Sequence, residues 1–242
     1  MKFIFIILLV FSVHLNAQQN EKTHILTYRA ETALDTNNFK RHKDHLGLIL
    51  NEIKEIEIIL KVQDTVTSFM VDLPMAINKK DRYLKKRARS YLLLREGYYN
   101  DLKNDNAYTY SIFNNEPYLI KSSLSKYKWE LLDEAKIISG YTCYKAIAEK
   151  KYFSNGQPKT YYVTAWYSPE VPIKGAPKDY YGLPGLVFEL SEDNFITFKL
   201  KSFESVLQPE RPIALPKLNS ISPEEYQEIV SKAYTLLMHN KV

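Results

Sequence analysis

Apolar and polar residues alternate most cleanly at 55–62. Ile56, Ile58, Leu60 and Val62 face one way, and Glu55, Glu57 and Lys61 the other. A period of two is the mark of a half-buried strand. Gln63-Asp64 offers a turn into Thr65 to Val71, so this segment predicts a hairpin. Upstream, Thr23 to Arg29 reads as an opening strand and Asp35-Thr36-Asn37-Asn38 as a turn. Between turn and hairpin, Leu46, Ile49, Leu50 and Ile53 recur at helical spacing. They predict a short amphipathic helix over about 42–53, weakened by Gly47.

From about residue 105 one strand-like run follows another: Ala107 to Phe113, Tyr118 to Lys121, Lys126 to Leu132, Ile137 to Glu149 and Thr160 to Tyr167. Asn114-Asn115-Glu116-Pro117 and Ser154-Asn155-Gly156-Gln157 separate neighbours, and Tyr127, Trp129 and Leu131 share a face. Leu186 to Leu190 and Phe195 to Lys201 form a last hairpin around Ser191-Glu192-Asp193-Asn194. Connections this short favour antiparallel pairing, because a parallel crossover takes a dozen or more residues. The three prolines of 208–216 make an extended arm. Ser222-Pro223-Glu224-Glu225 then starts a helix over about 223–238: Ser caps, Pro occupies the first turn, and Glu225 reaches back. Tyr226, Ile229, Val230, Ala233 and Leu237 form its apolar stripe. These elements predict an α+β chain, mainly antiparallel β. The expected architecture is a curved sheet or half-barrel with a C-terminal helix and one short N-terminal helix.

The N-terminus sets the expected compartment. Met1-Lys2 is a short positive start, Phe3 to Val13 is apolar, and Leu15-Asn16-Ala17 offers cleavage before Gln18, so 1–17 reads as a signal peptide. The apolar run is shorter than the roughly 20 residues that span a bilayer. No other segment approaches that length. The remainder, 18–242, suits a single β-rich domain in the periplasm, at the outer membrane or outside the cell. Lys and Arg number 33 against 28 Asp and Glu. That mild excess is not the concentrated basic face that nucleic acid needs. It is concentrated only at 79–89, where Lys79, Lys80, Arg82, Lys85, Lys86, Arg87 and Arg89 face Asp81 alone. Such a run is a solvated loop or helix face, or a contact for acidic headgroups or lipopolysaccharide phosphates. The single cysteine, Cys143, excludes an internal disulfide. It sits in a strand-like run, either as a small buried hydrophobe or as a nucleophile or metal thiolate.

Five of the seven glycines fall between Gly140 and Gly185, and ordered motifs occupy the same stretch. They are Gly140-Tyr141-Thr142-Cys143-Tyr144-Lys145-Ala146; Ala165-Trp166-Tyr167-Ser168-Pro169-Glu170-Val171-Pro172-Ile173; Gly175-Ala176-Pro177; and Tyr181-Gly182-Leu183-Pro184-Gly185-Leu186-Val187. In order and composition they resemble the GLPGLI family of exported Bacteroidota proteins. The resemblance is specific over 137–190 and weaker elsewhere, and 31–53 departs from it as an insertion would. It implies a GLPGLI-type, β-rich envelope protein, often encoded near TonB-dependent receptors, and carries over no catalytic residues.

Read physically, Gly182 and Gly185 allow positive φ or close backbone approach, Pro184 stiffens the turn, and Leu183 and Leu186 bracket it. This is a rigid corner ending the proline-stiffened 168–185 connection. A loop that long is often functional. The candidate ligand- or partner-binding residues are therefore Trp166, Tyr167, Glu170, Tyr181 and Leu183. Gly182, Pro184, Gly185 and Leu186 form the structural motif. Catalytic signatures such as Gly-x-Ser-x-Gly or His-Glu-x-x-His are absent. His42-x-x-His45 lacks a third ligand, so neither a metal nor a cofactor is expected. Glu170, Asp179 and Glu189 are the available carboxylates, with Lys145 a possible partner for Glu189. Three functions stay open. One is non-catalytic binding of an apolar ligand or lipidated chain, and another is docking to an outer-membrane receptor. The third is hydrolysis through Cys143 or a carboxylate.

Overall fold

The computed structural model describes residues 22–33, 43–72, 75–154, 157–207 and 212–239. The leader 1–17, the 35–38 turn, His42, the 155–156 tip and the start of the proline arm at 208–211 lie outside them. Among the described residues, twelve strands form one sheet: β1 (Thr23–Thr32), β2 (Glu57–Gln63), β3 (Val66–Asp72), β4 (Gly97–Asp101), β5 (Asn106–Phe113), β6 (Glu116–Ser123), β7 (Glu130–Ile138), β8 (Tyr141–Ser154), β9 (Gln157–Ser168), β10 (Leu186–Glu192), β11 (Ile196–Val206) and β12 (Ser220–Ile221). Their order is β12-β6-β5-β4-β3-β2-β1-β11-β10-β9-β8-β7. β12 pairs with β6 in parallel and the other described neighbours are antiparallel. Among the described residues, three α-helices join the sheet: α1 (Lys43–Glu55), α2 (Lys79–Tyr91) and α3 (Pro223–His239). The α+β class, the open curved sheet and the C-terminal helix are those expected from the sequence.

The alternation at 56–62 sets the inner face of the sheet. Ile58, Leu60 and Val62 lie opposite Tyr28, Leu26 and His24 on β1 and opposite Val71, Phe69 and Thr67 on β3. Tyr28, Phe69, Tyr98 and Phe198 meet edge-on there, with ring centroids 6.0–6.2 Å apart. Ile49 and Ile53 of α1 and Ala88 of α2 join the same core. One extra residue at each of the shifts Thr27/Tyr28 and Val187/Glu189 makes a bulge that bends the strands, and a wider irregularity interrupts the β7–β8 ladder between Leu131 and Ala135. The curl brings the two ends of the strand order together. Ser122 of β6 and the 126–128 segment face Ile147 to Lys151 of β8 across one cavity. We call this gap the seam.

Several elements differ from expectation, each for a local reason. The basic run 79–89 is a second helix in the N-terminal half, started by Asn78, whose side chain accepts the Asp81 amide. The expected strand 137–149 is two strands, because Ser139 and Gly140 both take positive φ (50° and 86°) and form a two-residue hairpin turn. The expected strand 126–132 starts as a 3-10 turn at Leu124–Lys126, and β7 begins only at Glu130. Strand β4 was not anticipated. Ser191 and Glu192 belong to β10, leaving the turn to 193–195. The α3 cap forms as read: Ser222 Oγ accepts the Glu225 amide at 3.1 Å, and the Ser222 amide donates to Glu225 at 2.7 Å.

Candidate functional site

The connection between β9 and β10 does not run over the surface. Residues 175–181 and Leu183 are buried, and the loop lies against the inner face of the sheet, where Thr67 of β3 and Asn100 of β4 bond it. Apolar Val171, Ile173 and Ala176 punctuate it and bury with the core. Backbone placed in such a site needs partners. Val187 N–H donates to Gly175 O at 2.9 Å, and Tyr28 OH donates to Val187 O at 2.6 Å. Asn100 of β4 donates to Lys178 O at 3.0 Å, and Thr67 of β3 bonds Tyr181 OH at 2.8 Å. Trp129 Nε1 donates to Tyr181 O at 2.9 Å, gripping the loop beside Gly182. The corner closes at Gly185, where φ is +135° and an added Cβ would lie 2.1 Å from Ser168 O.

The loop carries Lys178, Asp179 and Tyr180 into the interior, and their partners make a charged cluster. Glu192 of β10 accepts from Lys178 Nζ at 2.6 Å and from Tyr180 OH, with Lys150 Nζ of β8 at 3.5 Å. Lys150 also donates to Tyr180 OH at 2.6 Å, and Tyr161 OH lies 3.5 Å from the same oxygen. Asp179 pairs with Lys126, which donates to Ser122 Oγ at 2.9 Å, and Tyr127 OH reaches the second Asp179 oxygen at 3.4 Å. The Tyr127 and Tyr180 rings pack together, tilted by 37° with centroids 4.7 Å apart. Burial alone would raise the Asp179 and Glu192 carboxyls. Lys126, Lys150 and Lys178 around Asp179, and Lys178 and Lys150 around Glu192, outweigh it and hold both below the usual carboxylate range. Burial pulls Lys178 below the usual lysine value, and Glu192 opposes that. The phenols of Tyr127 and Tyr180 are raised by burial and stay protonated donors.

This cluster forms the floor of the seam. Lys126, Tyr127, Lys150 and Asp179 line a cavity of about 790 Å³, with Lys128, Glu130, Glu149, Lys151 and Tyr162 around its walls and Pro223, at the head of α3, beside it. The five charges of the cluster do not balance: Lys126, Lys150 and Lys178 face Asp179 and Glu192. A second cavity of about 410 Å³ is lined by Leu102, Leu124 and the 180–185 corner.

Residues 148–189 match the model of a family described as a protein of unknown function (Porph_ging). That segment holds Lys150, Tyr161 and the whole 169–185 loop. No curated protein matches the chain. Two solved structures of PNGF-II, in different crystal forms, share the fold. They superpose with TM-scores of 0.52 and 0.53 at 17% and 16% identity, over 87% of this chain. The chain spans 33% of PNGF-II.

The five binding candidates do not converge. Tyr181 and Leu183 are buried in the loop, and Tyr167 is buried on β9. Trp166 lies beneath Lys136 Nζ, 4.2 Å from its ring, and Lys145 Nζ, 5.9 Å away. Glu170 is exposed and accepts the Thr142 amide at 3.4 Å. The Glu189 partner is Lys136 at 3.1 Å, whereas Lys145 pairs with Glu134 at 3.0 Å. Cys143 is fully buried in the core, and desolvation pushes its thiol up to about 11. His45 rests against Tyr83, and among the described residues no three His, Cys, Asp or Glu side chains gather to hold a metal. No described helix is long and apolar enough to cross a membrane.

Of the cluster, only Asp179 stands among the sequence candidates, as an available carboxylate. Lys126, Tyr127, Lys150, Lys178, Tyr180 and Glu192 carry no motif or spacing that marks them as functional. One signal did exist: a long connection with apolar residues at 171, 173 and 176 is too hydrophobic for solvent, so its Lys-Asp pair needs buried partners.

Proposed function

We propose that this chain is an exported, GLPGLI-type envelope protein that binds a small polar ligand through an anionic group at the seam. The observation that carries this reading is the surplus cation in the cluster. Three lysines share two carboxylates there, and an anion at the mouth beside the partly exposed Lys150 and Lys126 would supply the third negative charge. The buried 175–183 loop occupies the inner face of the sheet beside β3 and β4, so we favour a polar ligand at the seam over an apolar one held within the curve of the sheet. Binding is favoured over catalysis because the cluster's carboxylates are neutralised by lysines and the thiol of Cys143 is protonated and enclosed.

The test is thermal unfolding with inorganic phosphate and with citrate. A ligand at a hundred times its Kd stabilises by about 2.7 kcal/mol. Wild type should show a rising Tm, and Lys150→Met should show none. A wild-type Tm that ignores both anions would sink the reading.

A second reading, docking to an outer-membrane receptor, draws on β7. This strand ends the sheet, pairs only with β8 among the described strands, and exposes Leu131 and Ile137. Open edges accept strands from partners. Ile137→Lys should then abolish co-purification with the receptor while leaving anion binding intact.

A further inference from the structure

Helix α2 offers a different face from the seam. Leu84, Ala88 and Tyr91 turn inward and dock it on the core. Its one acid is engaged: Asp81 accepts the Ile77 amide at 2.8 Å and Lys85 Nζ at 3.0 Å. Arg89 pairs with Glu96, and Arg87 stacks 5.5 Å from the Tyr91 ring. Lys79, Lys80, Arg82 and Lys86 are exposed and make no ion pair among the described residues. Spacings of three, four and seven put Lys79, Arg82, Tyr83 and Lys86 on one stripe. Just before the helix, Met75 and Ile77 are 93% and 90% exposed. Water gives no reason to hold two apolar side chains fully out beside four unpaired cations.

We propose that α2 and its 75–78 lead-in dock the folded protein on an anionic lipid surface. The cations meet headgroup phosphates, while Met75 and Ile77 enter the boundary between headgroups and acyl chains. The N-terminal end of the helix dipole adds positive potential on the same side. Soluble polyanions share the phosphate chemistry but offer nothing to the two apolar side chains, and this selects lipid.

Co-sedimentation of the full chain with vesicles tests it, comparing phosphatidylglycerol–phosphatidylcholine mixtures with pure phosphatidylcholine at low and high salt. Binding should need phosphatidylglycerol and fall with salt. Each cation near an anionic surface is worth about fivefold, so replacing Lys79, Arg82 and Lys86 together by Gln should weaken binding about a hundredfold. These positions are exposed, and unchanged circular dichroism would show that the variant folds. Met75→Ser with Ile77→Ser should also release the protein. Equal binding to pure phosphatidylcholine, or retention by the triple variant, would overturn the proposal. Full binding by the Met75/Ile77 variant, or displacement by inorganic polyphosphate alone, would overturn the choice of lipid over a soluble polyanion.

Discussion

Glu192 concentrates the energetics of the site in one side chain. It accepts from Lys178 and Tyr180 and lies 3.5 Å from Lys150, deep inside the molecule. Removing its charge strands two ammonium groups, and breaking a buried pair costs about 3–5 kcal/mol. Urea unfolding of Glu192→Gln should show a loss of that size. The Lys178→Met/Glu192→Leu double variant should lose clearly less than the two single changes added together. The same carboxylate sets an acid limit. Asp179 and Glu192 both titrate below their ordinary values of 3.8 and 4.5. Their stabilisation is therefore complete above those values and is lost as pH falls through the lowered ones. The urea midpoint should stay flat near neutrality, drop below about pH 4, and drop less steeply in Glu192→Gln. Cys143 gives a complementary readout. Its thiol is enclosed and raised to about 11, so iodoacetamide should label it only after denaturation. Fast labelling of the native protein would reopen nucleophilic chemistry.

The loop between β9 and β10 works as a plug whose ends are pinned by Gly185. An alanine there must hold φ at +135° and place its Cβ against the Ser168 carbonyl. Backbone strain of this kind costs about 1–3 kcal/mol, and the collision adds to it. Gly185→Ala should therefore destabilise by at least that much in urea, and should raise proteolysis within 169–185 more than elsewhere. Much of this element was legible beforehand. The glycines, prolines and bracketing leucines describe a rigid corner, just as alternation described the β2–β3 hairpin and Ser222/Glu225 the α3 cap, because each depends on residues close in sequence. The plug's destination was not legible. Lys178 meets Glu192 only once β10 pairs with β9, and Asp179 meets Lys126 across the seam. Glu192 beside Asp193-Asn194 looks like a polar turn until pairing with Val163 places it on the inner face. The same limit hid the break at Ser139-Gly140, where a two-residue turn interrupts an otherwise continuous strand-like run.

At the scale of the molecule, the seam separates binding there from binding elsewhere. Ser122 of β6 and Ile147 to Lys151 of β8 lie near opposite ends of the strand order, separated within the described sheet by β5, β4, β3, β2, β1, β11, β10 and β9. They face each other across the cavity and meet at its floor, where Tyr127 packs on Tyr180 and Lys150 donates to the same phenol. Hydrogen exchange in free protein should be slowest in β1, β2, β10 and β11, which are flanked on both sides, and faster toward β7 and α3 at the two ends. A ligand in the seam should slow both 122–128 and 147–151 at once, together with the start of α3, where Pro223 borders the cavity. A ligand at the β7 edge would protect 130–138 alone, and a lipid surface at α2 would protect 75–91. Anion-induced protection confined to one end of the sheet would place the ligand outside the seam, whatever its effect on Tm.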